Sequence, residues 1–295
     1  MSGREIEGVR TLLASLPRPT SLTERRERLD TVASVDGVAA DISFEPETVG
    51  HCEAEWSLAP GSDASRVLLF FHGGGYCSGS IRSHRRMVSE AGRAAGIRTL
   101  AVAYRLAPEN PFPAALEDAV AAFEYLLGRG IGAGHIAISG DSAGGGVSLA
   151  AMTRLRDLGK PLPGCAWLVS PWVDLEMSGA SMDTKEAVDP LIHREYLQEL
   201  ASSYLGRANP LSPLASPLYA DLSRLPPTLV QVGSAETLLD DAVRIVGRLG
   251  AADVAASLEV WPHMIHAWHL WSARLRAGRQ ATASAGAFIK RHLAR

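Results

Sequence analysis

The sequence is poor in cysteine: Cys52, Cys77 and Cys165 are the only three in 295 residues, and no pair has metal-ligand spacing. A disulfide framework or zinc module is thereby excluded as the basis of the fold, and reduced, partly buried thiols in a cytoplasmic chain are expected. Long hydrophobic runs are also missing. Apolar stretches such as 67–71 are far too short to span a bilayer. The first ten residues carry Arg4, Glu5, Glu7 and Arg10 where a signal peptide would be apolar. Nor is there an excess of either charge. A net charge of −3 provides no concentrated positive field for a phosphate backbone, so neither nucleic acid nor a membrane is an expected partner. Internal repeats and low-complexity tracts are absent too.

What remains is ordinary globular material, 46% hydrophobic and 21% charged. The length suits one large α/β domain, although it also allows two smaller ones. Near the start, Ile6, Val9, Leu12, Leu13 and Leu16 fall at helical spacing until Pro17-Arg18-Pro19 breaks the pattern. A second helix is expected to begin near Ser21, with 23–28 almost wholly charged. Strand-like segments follow at 54–58, 67–72, 99–104, 135–139, 166–170, 228–232 and 257–261. Helical segments lie between or after them at 84–95, 114–127, 143–158, 238–249 and 282–293. This alternation predicts a mostly parallel sheet covered by helices on both faces. One connection is too long: nearly sixty residues separate Ser170 from Thr228. It contains a helical stretch at 192–204 and a proline-rich return at 210–227, and insertions of this length often form lids.

Two glycine-rich motifs carry the chemistry. Gly140-Asp141-Ser142-Ala143-Gly144 joins a strand to a helix, the context in which a strained turn lifts a serine hydroxyl above a sheet. His72-Gly73-Gly74-Gly75 ends an earlier strand. Glycines there let backbone N–H groups approach an oxyanion, jointly with the N–H of the residue after the nucleophile, here Ala143. No Lys-Ser/Thr follows the glycines, so a phosphate-binding P-loop fits poorly.

A serine nucleophile needs a base held by an acid, in the chain order Ser, Asp/Glu, His for this kind of elbow. Glu236, Asp240 and Asp241 compete for the acid. Glu236 is favoured because it sits in the strand-to-helix loop, whereas the aspartates come a turn later and should lie lower, nearer solvent or the helix N-terminus. His263, His266 and His269 compete for the base, with His266 favoured.

These residues resemble the bacterial hormone-sensitive-lipase-like carboxylesterases of the α/β-hydrolase fold. The matching blocks run from 67 to the C-terminus: His72-Gly73-Gly74-Gly75-Tyr76, 104–109 (Tyr-Arg-Leu-Ala-Pro-Glu), 111–115 (Pro-Phe-Pro-Ala-Ala), 140–145 and Ser170-Pro171-Trp172. The family's Asp-Pro-Leu-x-Asp appears here as Glu236-Thr237-Leu238-Leu239-Asp240, and its His-Gly-Phe as His266-Ala267-Trp268. The resemblance implies a single domain over 1–295 with an eight-stranded, mostly parallel sheet flanked by helices. It also implies a helical cap from about 1–40 plus about 175–212. Ser142, Glu236 and His266 would be the triad, and Gly74, Gly75 and Ala143 the oxyanion donors. Gly73, Asp141 and 104–109 would support the site.

The expected substrate is a small ester with a short to medium acyl chain, hydrolysed through an acyl-enzyme, with no metal and no cofactor. Met177, Met182, Leu191 and Tyr204 are candidates for the capping surface. Lactone hydrolysis, amide hydrolysis or deacetylation by the same machinery are alternatives, and a non-catalytic ligand receptor is a more distant one. Family members often form a homodimer through the last strand, here 257–261, and nothing in this sequence demands it.

Overall fold

The computed structural model describes residues 2–16, 19 and 21–293. Its strands are β1 (Ser43–Val49), β2 (Cys52–Leu58), β3 (Asp63–Phe71), β4 (Ile97–Val102), β5 (Ile136–Asp141), β6 (Cys165–Val169), β7 (Thr228–Gly233) and β8 (Ala256–Trp261). Its helices are α1 (Ser2–Ser15), α2 (Leu22–Ser34), α3 (Ile81–Ala95), α4 (Ala114–Gly128), α5 (Ala143–Asp157), α6 (Ser181–Thr184), α7 (Arg194–Leu205), α8 (Leu239–Ala251) and α9 (Arg276–His292). The strands form one sheet in the order β1-β2-β4-β3-β5-β6-β7-β8. The β1–β2 and β2–β4 pairs are antiparallel and the rest parallel. This is the α/β-hydrolase fold.

Alternation along β3 sets the layers. Leu68 and Phe70 pack with Met87 and Val88 of α3 and Ala285 and Ile289 of α9. Val67, Leu69 and Phe71 point the other way, into the cluster that holds Phe123 of α4, Leu149 of α5 and Ile245 of α8. With helices on both faces, β5, β6 and β7 are buried at every position, which explains why their residues are apolar or small with few polar exceptions such as Gln231.

All seven strands read from the sequence are present. β1 was not among them, because its Ser-Phe-Glu-Pro-Glu-Thr-Val is mostly exposed and contains Pro46, a residue tolerated on an edge strand. Helix α9 begins six residues before the expected 282, since 276–281 bury small residues (Ala277, Gly278, Ala281) that carry no apolar signal.

Helix α1 turns Ile6, Val9 and Leu13 onto Met264, Ile265, Trp268 and Trp271. The Pro17-Arg18 half of the expected break lies outside the described residues. Ser21 caps α2 by accepting from the Glu24 N–H at 3.2 Å. The charged run at 23–28 serves tertiary pairing: Arg25 bridges to Glu199 of α7 (2.7 and 2.8 Å), and Arg26 to Glu109 and the Cys77 carbonyl. The long connection after β6 holds α6, α7 and a proline-rich return. Among the described residues no helix is long and apolar enough to cross a membrane.

Candidate active site

The loops after β3, β5, β7 and β8 all leave the sheet at its carboxyl edge, where open α/β sheets place their ligands. Ser142 joins β5 to α5 with φ 53° and ψ −121°, a conformation that costs a non-glycine residue strain. Packing imposes it. A Cβ on Gly140 would strike the Gly144 backbone and the Phe71 carbonyl, and one on Gly144 would strike that same carbonyl. The turn is pinned by the Ser142 N–H donating to Val169 O (2.9 Å) and by Ser142 O accepting from Gly145, Gly146 and Trp172.

The glycine loop after β3 is held from behind. Gly73 N–H donates to Asp141 Oδ1 (2.9 Å), and His84 Nε2 lies 3.2 Å from Asp141 Oδ2. Burial would push the Asp141 carboxyl up, but His84, His266 and the Gly73 N–H outweigh it and hold it below its ordinary value. Tyr104 stacks on His72 at 4.4 Å, and its hydroxyl donates to His72 O at 2.7 Å. Burial and the neighbouring His84 push the His72 imidazole down to about 4. Gly74 and Gly75 take φ of 120° and 62°, and Ala143 is the first residue of α5.

The three candidate acids separate clearly. Glu236 is fully buried, and its Oε2 accepts from Ser170 Oγ (2.9 Å) and Gly233 N–H (3.1 Å). Its Oε1 faces His266 Nδ1 at 3.6 Å. Neither atom has another hydrogen-bond partner, so a contraction of a few tenths of an ångström satisfies both. Asp240 instead accepts from the Ser181 N–H. Asp241 is completely buried rather than near solvent, its Oδ2 taking the Val173 and Asp174 N–H groups. That corrects the expected position, since the helix face carrying Asp241 is covered by the loop after β6. Burial pushes its carboxyl up to about 8.

The histidines separate likewise. His263 is exposed in a turn, and His269 is buried beside Gln231 Oε1 (2.9 Å), where burial pushes it down to about 3. His266 is 6% exposed. Burial alone would lower its imidazole, but Glu236, Asp189 and Asp141 reverse this and hold it above its ordinary value. The Glu236 carboxyl is in turn raised by burial, an effect His266 and Ser170 only partly offset.

Ser142, His266, Gly74 and Gly75 line one cavity of about 420 Å³. Its other walls come from α1 and α2 (Leu13, Leu29), from 190–200 (Ile192, Leu197) and from Trp271. Of the expected capping residues only Leu191 lines it. Met177, Met182 and Tyr204 are buried elsewhere, Tyr204 stacked on Tyr76 at 3.7 Å. Sequence reasoning assigned no role to Asp189, Ser170 or His84. Ser170 lay within a quoted block, but the buried partners of the other two are visible only in three dimensions.

The three cysteines are free and buried. Cys52 joins His51 and Asp118 in a group whose ligand atoms lie within 4.8 Å of one another. This group is a poor metal site. Arg105 already contacts both Asp118 oxygens at 3.0 Å, and burial together with Asp118 pushes the Cys52 thiol up to about 12.

A family model for the alpha/beta hydrolase fold matches residues 68–270. The chain is 43% identical to an acetyl-hydrolase of Streptomyces hygroscopicus over 98% of this chain and 97% of that protein. It is 34% identical to an esterase of Acinetobacter venetianus, over 77% of this chain and 75% of that one. A solved esterase from the bacterial hormone-sensitive lipase family superposes with TM-score 0.95 at 46% identity, covering 99% of this chain and 98% of its own.

Proposed function

The chain belongs to the α/β-hydrolase family, among the bacterial hormone-sensitive-lipase-like carboxylesterases, and from that premise we propose that it cleaves small esters through Ser142, His266 and Glu236. His266 takes the proton from Ser142 Oγ as that oxygen attacks the ester carbonyl. The oxyanion forms beneath the N–H groups of Gly74, Gly75 and Ala143. Collapse expels the alcohol, which His266 protonates, and leaves an acyl group on Ser142. A water deprotonated by His266 then releases the acid and restores the serine. Glu236 orients the imidazole and stabilises its cationic form.

The observation that carries this reading is a strained Ser142 sharing one cavity with a His266 whose Nδ1 faces a buried carboxylate. The cavity volume of about 420 Å³ lies toward the lower end of the range for ligand sites, which favours short to medium acyl chains. The relative named as an acetyl-hydrolase supports the short end of that range. The described residues of about 1–40 and of about 175–212 act as the cap over this cavity. Because a raised His266 must be neutral to act, kcat/KM should fall on acidification along a limb centred above 6.5.

Ser142→Ala tests the mechanism directly. Hydrolysis of p-nitrophenyl acetate and butyrate should drop by at least about a thousandfold with the circular dichroism spectrum unchanged. A fluorophosphonate probe should label the parent and not the variant. Full activity in the variant removes Ser142 from the mechanism. Lactones and anilides assayed beside the esters test the chemical range, and faster turnover of a matched anilide would make the enzyme an amidase.

A further inference from the structure

We propose that Asp189, in the insertion after β6, is a positioning residue that fastens this insertion to the acid loop and sets a second carboxylate beside the Glu236–His266 pair. The inference rests on the reading of those two residues as acid and base. Asp189 is 3% exposed and makes four contacts, all with donors. Its Oδ1 accepts from the Leu191 (2.9 Å) and Ile192 (3.0 Å) N–H groups, the segment that walls the cavity. Its Oδ2 accepts from the Thr237 N–H (2.9 Å) and hydroxyl (3.3 Å), one residue beyond Glu236. One side chain thus fixes the substrate wall and the acid loop relative to each other.

A second contact lies alongside. Ser181 Oγ donates to Thr237 O and accepts from the Asp240 N–H, while the Ser181 N–H donates to Asp240 Oδ2. Helix α1 reaches the same segment through Arg10, which donates to Val188 O at 2.8 Å. The acid loop therefore docks on the insertion by both faces of Thr237. A buried carboxylate that only capped a turn would need the Leu191 and Ile192 donors alone. The two donors from Thr237 are what tie it to the acid.

Charge gives a signature that a purely structural staple lacks. The charged groups acting on His266 from the protein side are Glu236, Asp189 and Asp141, each raising its pKa. On the cavity side stand His84 of α3, Arg25 and Arg28 of α2, His193, and Glu195 and Glu199 of α7. Removing the Asp189 charge while keeping its shape should lower the imidazole pKa.

The test is the kcat and kcat/KM pH profile of Asp189→Asn with p-nitrophenyl butyrate. We expect kcat to fall about tenfold or more, because small misplacements of catalytic groups are costly. The acid limb should move to lower pH, as expected for losing one neighbouring negative charge. A folded variant with kcat within about twofold of the parent and an unmoved limb overturns the proposal. Should that variant not fold, Ser181→Ala breaks the parallel contact and retains the charge. It should lower kcat about threefold or more with the limb in place, and an unchanged kcat overturns the clamp. Failure of the underlying reading would look different: Glu236→Ala would then keep the parent kcat, whatever Asp189→Asn does.

Discussion

The Ser142 corner and the Glu236–His266 corner of this cavity rely on backbone packing and on side chains in different proportion. Around Ser142 the backbone itself does the positioning: Gly140 and Gly144 bring β5, α5 and the end of β3 so close that no Cβ fits between them. Around His266 the backbone does part of this, Gly233 packing on the Met264 carbonyl and the Ala235 N–H donating to it, and buried side chains do the rest. Ser170 donates to Glu236, Asp189 holds Thr237, and α1 packs on the turn that carries the histidine. A corner made of backbone tolerates no added atom. A corner made of side chains can lose one and relax, so its failures should be graded.

That contrast can be tested from its largest expected effect downward. Glu236→Ala should lower kcat on the order of a thousandfold or more, whereas Asp240→Ala should cost less than about tenfold. The reverse order, measured with p-nitrophenyl butyrate, would move the acid to Asp240. At the other corner, Gly144→Ala should act through the fold. We expect a loss of roughly 1–3 kcal/mol, several degrees in Tm, together with activity, because a methyl is forced against the Phe71 carbonyl. An unchanged Tm would mean the elbow has slack.

The last effect bears on stability rather than turnover and concerns Asp241, buried behind the loop that carries Glu236. Its carboxyl is raised to about 8 in the fold, against 3.8 in the unfolded chain, so the folded form prefers the protonated state. The stability this provides is complete below 3.8 and is lost as pH rises through about 8. Asp241→Asn keeps an acceptor for the Val173 and Asp174 N–H groups and removes the titration. Its Tm relative to the parent should be higher at pH 9 than at pH 5. A difference that does not vary with pH would contradict the buried-acid account.

Most of the fold was legible because its signals are local. Seven strands could be read from short strand-like segments alternating with longer helical ones, and α3, α4, α5 and α8 began within a few residues of their expected starts. β1 escaped because an exposed edge strand carrying Pro46 has no hydrophobic pattern to read. The elbow and the glycine loop were legible for a related reason: a strained turn and a close backbone approach demand particular residues at adjacent positions. The charged run at 23–28 carried no sign of which groups it would pair with. In the fold Arg25 and Arg26 bind Glu199 and Glu109, partners more than 80 positions away.

By itself the sequence determined the layered α/β architecture, the serine elbow and the order in which Ser142, Glu236 and His266 leave the sheet. These depend on contiguous residues whose sterics act over one turn or one strand. Tertiary structure alone decided which of three histidines faces the cavity, that Asp241 is sealed beneath a loop, and that Asp189 meets Thr237. Burial and electrostatic coupling depend on what surrounds a group in space, and those neighbours come from distant parts of the chain.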